Sequence, residues 1–172
     1  MTSKSQNIIN ELDRIAALFN RLTIVETGTI RRTEPEYEEG DGHSTRFIAE
    51  WSRGNHSFTS IDIDCSIAKK YLFDNNLRQY VTLKEGLSTD ILPTFKMIDF
   101  AYLDSANDPD NCLNEFMIVW PMITPGGSVM CDDCNEGSAE LLKGDKLIPY
   151  LRSENIEFEQ MGTNQLLIKK PA

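Results

Sequence analysis

The stretch IVETGT at residues 24–29 decides the fold, and GDGHST at residues 40–45 continues it after a charged segment. The first two residues of IVETGT are apolar and β-branched, which is typical of a central parallel strand. The glycines of both segments permit a sharp turn or the close approach of a ligand. Ser44 is predicted to be the N-cap of the helix that follows. A strand, a glycine loop and a helix N-terminus in this order form the usual cradle for a nucleotide cofactor in a doubly wound sheet.

The rest of the chain alternates between strand and helix patterns. Apolar residues at helical spacing predict an amphipathic helix over residues 5–20. Strands, most of them followed by a helical segment, are predicted at residues 23–27, 58–64, 80–83, 98–104 and 128–131. Helices are predicted at residues 66–75 and 138–153, with another opened by Asp108 and Pro109, and a terminal β-hairpin at 156–160 and 165–169. We therefore expect one α/β domain over residues 1–172, with a Rossmann-like, doubly wound, mostly parallel seven-stranded sheet and a C-terminal antiparallel hairpin.

Composition narrows the possible partners and the compartment. The 172 residues carry a formal net charge of -10, with a pI of about 4.7, which argues against nucleic acid and anionic membranes as partners. The polar N-terminus lacks the apolar core of a signal peptide, and we see no run of apolar residues long enough for a membrane span. The four cysteines show no spacing typical of a disulfide framework, so a cytoplasmic location is expected.

A charged segment at residues 31–41 interrupts the cradle. It contains proline and glycine, so we predict a loop. It is either a solvated insertion or a flap over the site with Arg31, Arg32 and Tyr37 pointing inward.

Five motifs in order resemble class I S-adenosylmethionine (SAM)-dependent methyltransferases, in the catechol O-methyltransferase-like and cephamycin-type branch (methyltransferase family 24). They are VETGT at 25–29, SIDID at 60–64, VTL at 81–83 with GLS at 86–88, YLDS at 102–105, and ITPGGSVMCDD at 123–133. The resemblance covers the chain from about Thr23 to the C-terminus. It implies SAM as the cofactor.

The resemblance also implies which residues hold SAM. The candidate cofactor-binding residues are Glu26, Gly28, Thr29, Ser44, Asp62, Ile63, Ser88 and Asp104. Asp62 would accept hydrogen bonds from the ribose hydroxyls, or alternatively cap the next helix, for which Asp64 is the better candidate. The carboxylate of Glu26 would complement the positive charge of SAM, or pair internally with Arg31 or Arg46.

Three aspartates at neighbouring strand ends form a candidate metal site. Asp104, Asp132 and Asp133 offer hard oxygen ligands that suit a divalent cation such as Mg²⁺. In the metal-dependent enzymes that this chain resembles, the ion grips the substrate hydroxyl and lowers its pKa. In the alternative without metal, Asp133 caps a helix and Asp104 only contacts the amino group of SAM.

The position that carries the general base in catechol-type enzymes differs in this chain. Catechol-type enzymes have a lysine three residues after the first metal aspartate, where this chain has Asn107. His43 beside the glycine loop is a candidate replacement, unless it only bonds to backbone. Asp104 and His43 are therefore the candidate catalytic residues. The chain also lacks the N-terminal helices that roof the catechol pocket, so the site is open or is covered by residues 31–41 or by a second subunit.

Cys131 and Cys134 form a C-x-x-C pair around the two aspartates. A lone pair is a weak indication of zinc or of redox chemistry, because a structural zinc ion usually takes four ligands. The aspartates explain this stretch better.

Together these features predict a SAM-dependent O-methyltransferase, assisted by a divalent metal, that methylates a hydroxyl of a small molecule such as a sugar, a polyol or a natural product. A homodimer is possible. The alternatives are a SAM-binding protein without catalysis and a nicotinamide-dependent oxidoreductase, although the glycine spacing does not match G-x-G-x-x-G.

Overall fold

A seven-stranded sheet forms the centre of the molecule. The computed structural model describes residues 3–33, 43–134, 142–162 and 164–172. The strands are β1 (Thr23–Thr27), β2 (Ser57–Asp62), β3 (Thr82–Glu85), β4 (Ile98–Leu103), β5 (Ile123–Cys131), β6 (Glu159–Gln160) and β7 (Leu166–Lys169). Their order is β3-β2-β1-β4-β5-β7-β6. The first five strands are parallel, and β7 runs antiparallel to both β5 and β6, which confirms the predicted mostly parallel sheet with its terminal hairpin.

Helices cover both faces of this sheet. They are α1 (Lys4–Ala16), α2 (Ser44–Ser52), α3 (Ser66–Asp74), α4 (Ser88–Ile91), α5 (Pro109–Val119) and α6 (Gly144–Ser153), with 3-10 turns at Arg78–Tyr80, Leu92–Thr94 and Trp120–Met122. Buried apolar residues of α1, α2 and α3 pack with one face of the sheet, and those of α5 and α6 pack with the other. The result is a three-layer sandwich with two cores, in which the central strands β1, β4 and most of β5 are buried on both faces.

The parallel register brings the carboxyl ends of the strands to one edge. Thr27 at the end of β1 is aligned with Ile61 of β2 and Leu103 of β4, and Leu103 is aligned with Cys131 of β5. Ligands of open parallel sheets bind at this edge, outside the strand ends. Asp62, at the end of β2, belongs to it as well.

Several predicted boundaries differ from the structure. Strand β2 ends at Asp62 rather than at residue 64, and β6 begins at Glu159 rather than at residue 156. Three further differences have a local reason. Helix α1 ends at Ala16 rather than near residue 20, because the chain turns there. Strand β3 begins at Thr82, because Arg78–Tyr80 already forms a 3-10 turn. Strand β5 begins at Ile123 rather than at residue 128, and its register to β4 shifts between Ile98 and Phe100.

Two predictions fall outside the described residues. One is the greater part of the charged segment at 31–41, including Tyr37, together with the glycines that follow it. The other is the first part of the helix predicted at residues 138–153, of which the structure describes Gly144–Ser153. None of the helices within the described ranges combines the length and the apolar character that crossing a bilayer requires.

Gly28 makes the turn that ends β1, and we expect Gly28→Ala to destabilise the fold. Its φ is +84°, and an added Cβ would lie 2.1 Å from the carbonyl oxygen of Asp104. The left-handed backbone alone costs a residue with a side chain about 1–3 kcal/mol, and the clash adds to this. Chemical denaturation should show the loss in the free energy of unfolding.

Gly162→Ala is the matched control, since no atom lies within 4 Å of a Cβ added there. Equal stability of the two variants would contradict this role for Gly28.

Candidate functional site

A cavity of about 350 Å³ opens at the carboxyl edge of the sheet. This volume is within the range of small-molecule pockets, roughly 300–1,000 Å³. Its walls come from the segments that follow β1, β2, β3 and β4: Gly28, Arg31, Ile61, Asp62, Ile63, Gly86, Leu87, Ser88, Ser105, Ala106 and Asn111. The apolar residues Ile63 and Leu87 are exposed at this cavity, at 72% and 59%. The cavity therefore combines exposed apolar surface with a carboxylate.

Asp62 links the cavity to the glycine turn. Its Oδ2 accepts a hydrogen bond of 2.9 Å from the backbone N–H of Thr29, and its Oδ1 accepts one of 3.3 Å from Asp64 N–H. Each carboxylate oxygen has a further lone pair, so Asp62 can hold the turn and still accept hydrogen bonds from a ligand. Asp64 instead accepts from the N–H of Ser66, the first residue of α3, at 2.8 Å, although the N-cap position itself is Cys65.

Glu26 lies beneath the cradle and is fully buried. Its carboxylate accepts hydrogen bonds of 2.6 Å from three hydroxyl groups, those of Ser44, Thr45 and Ser60. Burial raises the pKa of Glu26 to about 8, although the three hydroxyls oppose this shift. The predicted alternative pairing with Arg46 does not form, because Arg46 bonds Glu50. Glu26 thus ties β1, β2 and the first turn of α2 together.

The prediction that Ser44 is an N-cap is wrong. His43 occupies the N-cap position and makes no side-chain capping bond. Ser44 is the first residue of α2, one position past the cap, and its hydroxyl donates to the buried carboxylate of Glu26.

A second buried carboxylate supports the other wall of the cavity. Glu115 accepts hydrogen bonds from the hydroxyls of Ser105, at 2.7 Å, and Thr27, at 2.9 Å. Asn111 in turn donates to the Ser105 oxygen at 2.8 Å. The sequence analysis did not assign Asn111 or Glu115 to the site, since both lie inside α5 and carry no motif.

The three aspartates of the predicted metal site do come together, with carboxylate oxygens within 4.8 Å of one another. Two lysines contact them. Lys143 Nζ lies 2.6 Å from Asp104 Oδ1 and 3.9 Å from Asp133 Oδ2, and its side chain is only 2% exposed. Lys4 Nζ lies 2.8 Å from Asp132 Oδ1 and 3.1 Å from Asp133 Oδ1. We refer to these five residues as the charged cluster.

Burial and mutual repulsion shape the protonation of the charged cluster. Burial, with the help of Asp132 and Asp133, raises the pKa of Asp104 to about 7, although Lys143 opposes the shift. Burial alone would lower the pKa of Lys143, but the three aspartates outweigh it and raise this pKa. Both lysines therefore carry a positive charge at neutral pH. Asp104 can bind or release a proton at the same pH.

Asp132 also receives a hydrogen bond from a buried tyrosine. Tyr102 donates its hydroxyl to Asp132 Oδ2 at 2.9 Å and accepts from Gln165 Nε2 at 3.2 Å. Gln165 accepts in turn from Asn7 at 2.8 Å. This chain of bonds fixes Asp132 from the side of α1 and β7. Among the described residues Asp133 caps no helix: the next described helix along the chain, α6, begins at Gly144, and its N-cap position is Lys143.

His43 is buried and lies away from the cavity wall. Its Nε2 is 3.1 Å from the carbonyl oxygen of Arg32, and its ring meets Tyr71 edge-on with 5.3 Å between centroids. Among the described residues no partner contacts Nδ1. This geometry supports a structural role between α2 and the segment that follows β1, and catalysis by His43 stays a prediction.

The eight predicted cofactor-binding residues therefore divide into three groups. Those that line the cavity are Gly28, Asp62, Ile63 and Ser88. Those that lie beneath it and hold the turn are Glu26, Thr29 and Ser44. Asp104 belongs to the charged cluster, next in the chain to Ser105 of the cavity wall.

The sequence itself matches a known family. A family model described as a methyltransferase domain (methyltransferase family 24) matches residues 38–134, more than half of the chain. The chain belongs to this family. Among curated protein sequences, none matches this methyltransferase significantly.

Solved structures share the fold of this methyltransferase. The O-methyltransferase NovP superposes with a TM-score of 0.71 at 15% identity, covering 98% of this chain and 80% of NovP. TomG from Streptomyces achromogenes, an O-methyltransferase involved in tomaymycin synthesis and solved with SAM, gives 0.67 at 20% identity, with 99% and 82% coverage. The O-methyltransferase from Bacillus cereus, in complex with SAH, gives 0.68 at 17% identity, with 99% and 83% coverage. At these identities the likeness shows the fold.

Glu26 should make stability depend on pH. Its pKa is raised from 4.5 to about 8 in the folded protein, so in this interval the folded state binds more protons than the unfolded state. Its contribution to the free energy of unfolding is therefore present below about pH 4.5 and is lost as pH rises towards about 8. We expect Glu26→Gln to flatten this fall, as measured by urea denaturation across that range.

Glu154→Gln, at an exposed position that ends α6, is the matched control and should keep the wild-type slope. A Glu26→Gln protein with the wild-type slope would show that Glu26 titrates normally.

Proposed function

We propose that this methyltransferase transfers the methyl group of SAM to a hydroxyl of a small molecule such as a sugar, a polyol or a natural product. The observation that carries the proposal is the cavity beside the glycine turn, with Asp62 at its wall. The fold neighbours TomG and the Bacillus cereus enzyme, solved with SAM and SAH, support the same cofactor. The nicotinamide alternative loses its basis, since the chain belongs to a methyltransferase family.

The lining of the cavity fits the nucleoside half of SAM. A carboxylate can accept two hydrogen bonds from a ribose diol, and Asp62 retains lone pairs for them. Ile63 and Leu87 offer exposed apolar surface to a purine ring. When bound, SAM would supply the methyl group.

A divalent metal fits the charged cluster less well than the sequence suggested. The carboxylates that would bind Mg²⁺ already contact Lys143 and Lys4 at 2.6–3.1 Å. An ion at their centre would have to displace these ammonium groups, or lie against them with like charge. We therefore propose that Lys143 and Lys4, rather than a metal ion, supply the positive charge of this site.

The residues of the cluster then have separate roles in the proposal. Asp104, whose pKa is about 7, can accept the proton of the acceptor hydroxyl. Lys143 and Lys4 stay protonated and stabilise negative charge on the acceptor oxygen. A homodimer, a cytoplasmic location and the absence of nucleic-acid and membrane partners stay predictions from the sequence.

Asp62→Ala should weaken SAM binding. The variant loses one or two hydrogen bonds to the ribose, worth about 1–3 kcal/mol in total, so the Kd should rise about 5- to 150-fold. Isothermal titration calorimetry with SAM measures this change.

Asp64→Ala tests whether the effect is local. Asp64 is exposed, contacts Ser66 N–H and is not part of the cavity wall, so the Kd should stay at the wild-type value. Asp62→Ala also removes the bond to the N–H of Thr29, and melting temperatures show how far this loss destabilises the fold. An unchanged Kd in Asp62→Ala would remove this residue from the ribose site.

Lys143→Met should create affinity for Mg²⁺. Removal of the ammonium leaves Asp104 and Asp133 without a close cation on that side, and hard divalent ions prefer such carboxylates. Calorimetry should detect no Mg²⁺ binding to the wild type and should detect it in the variant.

Lys146→Met is the matched control, because Lys146 lies on the same helix and pairs with exposed Asp110 outside the cluster. It should gain no Mg²⁺ affinity. The proposal that the two lysines replace a metal ion fails if EDTA abolishes methyl transfer by the wild type and Mg²⁺ restores it. This measurement uses only the wild-type protein, so it does not depend on the folding of a variant.

A further inference from the structure

Three of the four cysteines converge in the core beside the charged cluster. Cys112 of α5, Cys131 at the end of β5 and Cys134 are buried, and their sulfur atoms lie within 4.8 Å of one another. We refer to them as the thiol cluster. We propose that the thiol cluster is a binding site for one soft, thiophilic metal ion, and that Cu(I) is the ion that suits it best.

The spacing of the sulfurs is close to what an ion needs. With metal–sulfur bonds of about 2.3 Å, three sulfurs in a plane around an ion lie about 4 Å apart. Sulfurs already within 4.8 Å reach this geometry by small side-chain rotations. Each metal–sulfur bond replaces an S–H bond, and the proton passes to the buffer.

The number and type of ligands select the ion. Thiolates are soft ligands and prefer Cu(I) over hard cations such as Mg²⁺. A structural zinc site usually needs four ligands, and among the described residues no other His, Cys, Asp or Glu joins the thiol cluster. Three buried thiols without a fourth partner therefore favour Cu(I) over zinc.

The backbone around the thiol cluster holds Cys134 in place without a metal. Its N–H donates to the carbonyl oxygen of Asn164 at 2.8 Å, and its carbonyl accepts from Gln160 Nε2 at 2.6 Å. Cys134 also forms an isolated antiparallel bridge with Leu142, the residue before Lys143. Helix α5, strand β5 and the terminal hairpin thus hold the three sulfurs in position, which lowers the entropy lost on binding an ion.

The thiol cluster also adjoins the charged cluster along the chain. Cys131 and Cys134 enclose Asp132 and Asp133, so an ion bound to the two thiols would fix the segment that presents both carboxylates. The positive charge of Lys143 is close enough to act on Cys112 and Cys134 and offsets part of the negative charge of a thiolate site.

The test is a titration of the reduced full-length protein with Cu(I) under anaerobic conditions, in competition with a chromophoric Cu(I) chelator and without SAM. We expect one ion per chain to be bound, with ultraviolet sulfur-to-copper charge transfer. Cys112→Ser should weaken binding by at least about tenfold, since even loss of an outer-shell partner costs a metal site that much. Cys65→Ser is the matched control, because Cys65 is buried at the start of α3, outside the thiol cluster, and binding should not change.

X-ray absorption on the loaded wild type decides the matter if a variant does not fold. Three sulfur neighbours per copper are expected. Fewer than three, no binding in competition, or an affinity that Cys112→Ser leaves unchanged would overturn the proposal. Because SAM is absent from the assay, failure here leaves the proposed methyl transfer standing, and the converse also holds.

Discussion

The parallel register of β1 with β2 and β4 brings the residues that follow these strands to one edge of the sheet. The backbone bonds continue past the strands themselves: Gly28 N–H donates to Ile61, and Asp104 N–H donates to Thr27. A side chain at Gly28 would collide with the carbonyl of Asp104. The turn after β1 can therefore pack against the end of β4 only because residue 28 is a glycine. The cavity and the charged cluster both depend on this alignment.

The acidic groups buried at this edge find polar partners within the protein. Glu26 is surrounded by three hydroxyls, Glu115 by two, and the carboxylates of the charged cluster by two ammonium groups. Each buried carboxylate without such partners would be costly, which explains why the partners come from several elements that must fold together. The same bonds that stabilise the fold therefore hold the walls of the cavity and the groups proposed to act on the acceptor.

Sequence reasoning failed where a side chain had a choice of partners. Ser44 follows a loop and precedes a helix, which is the pattern of an N-cap, but the buried carboxylate of Glu26 takes its hydroxyl. The three aspartates resemble metal ligands, and no local pattern reveals that lysines far away in sequence reach them. Lys143 follows a segment without any motif, so its contact with Asp104 depends wholly on the path of the chain.

The sequence by itself determined the alternation of strands and helices, the mostly parallel sheet with its terminal hairpin, and the family, because these follow from hydrophobic periodicity, glycine positions and motifs in order. The tertiary structure decided which groups neutralise the acids and that Cys112 joins Cys131 and Cys134. Asp104 and Lys143 are 39 positions apart in the sequence, and Cys112 and Cys131 lie on different elements of the fold. Periodicity places a residue on a face of its own helix or strand, whereas the partner across the core is fixed only when the layers pack.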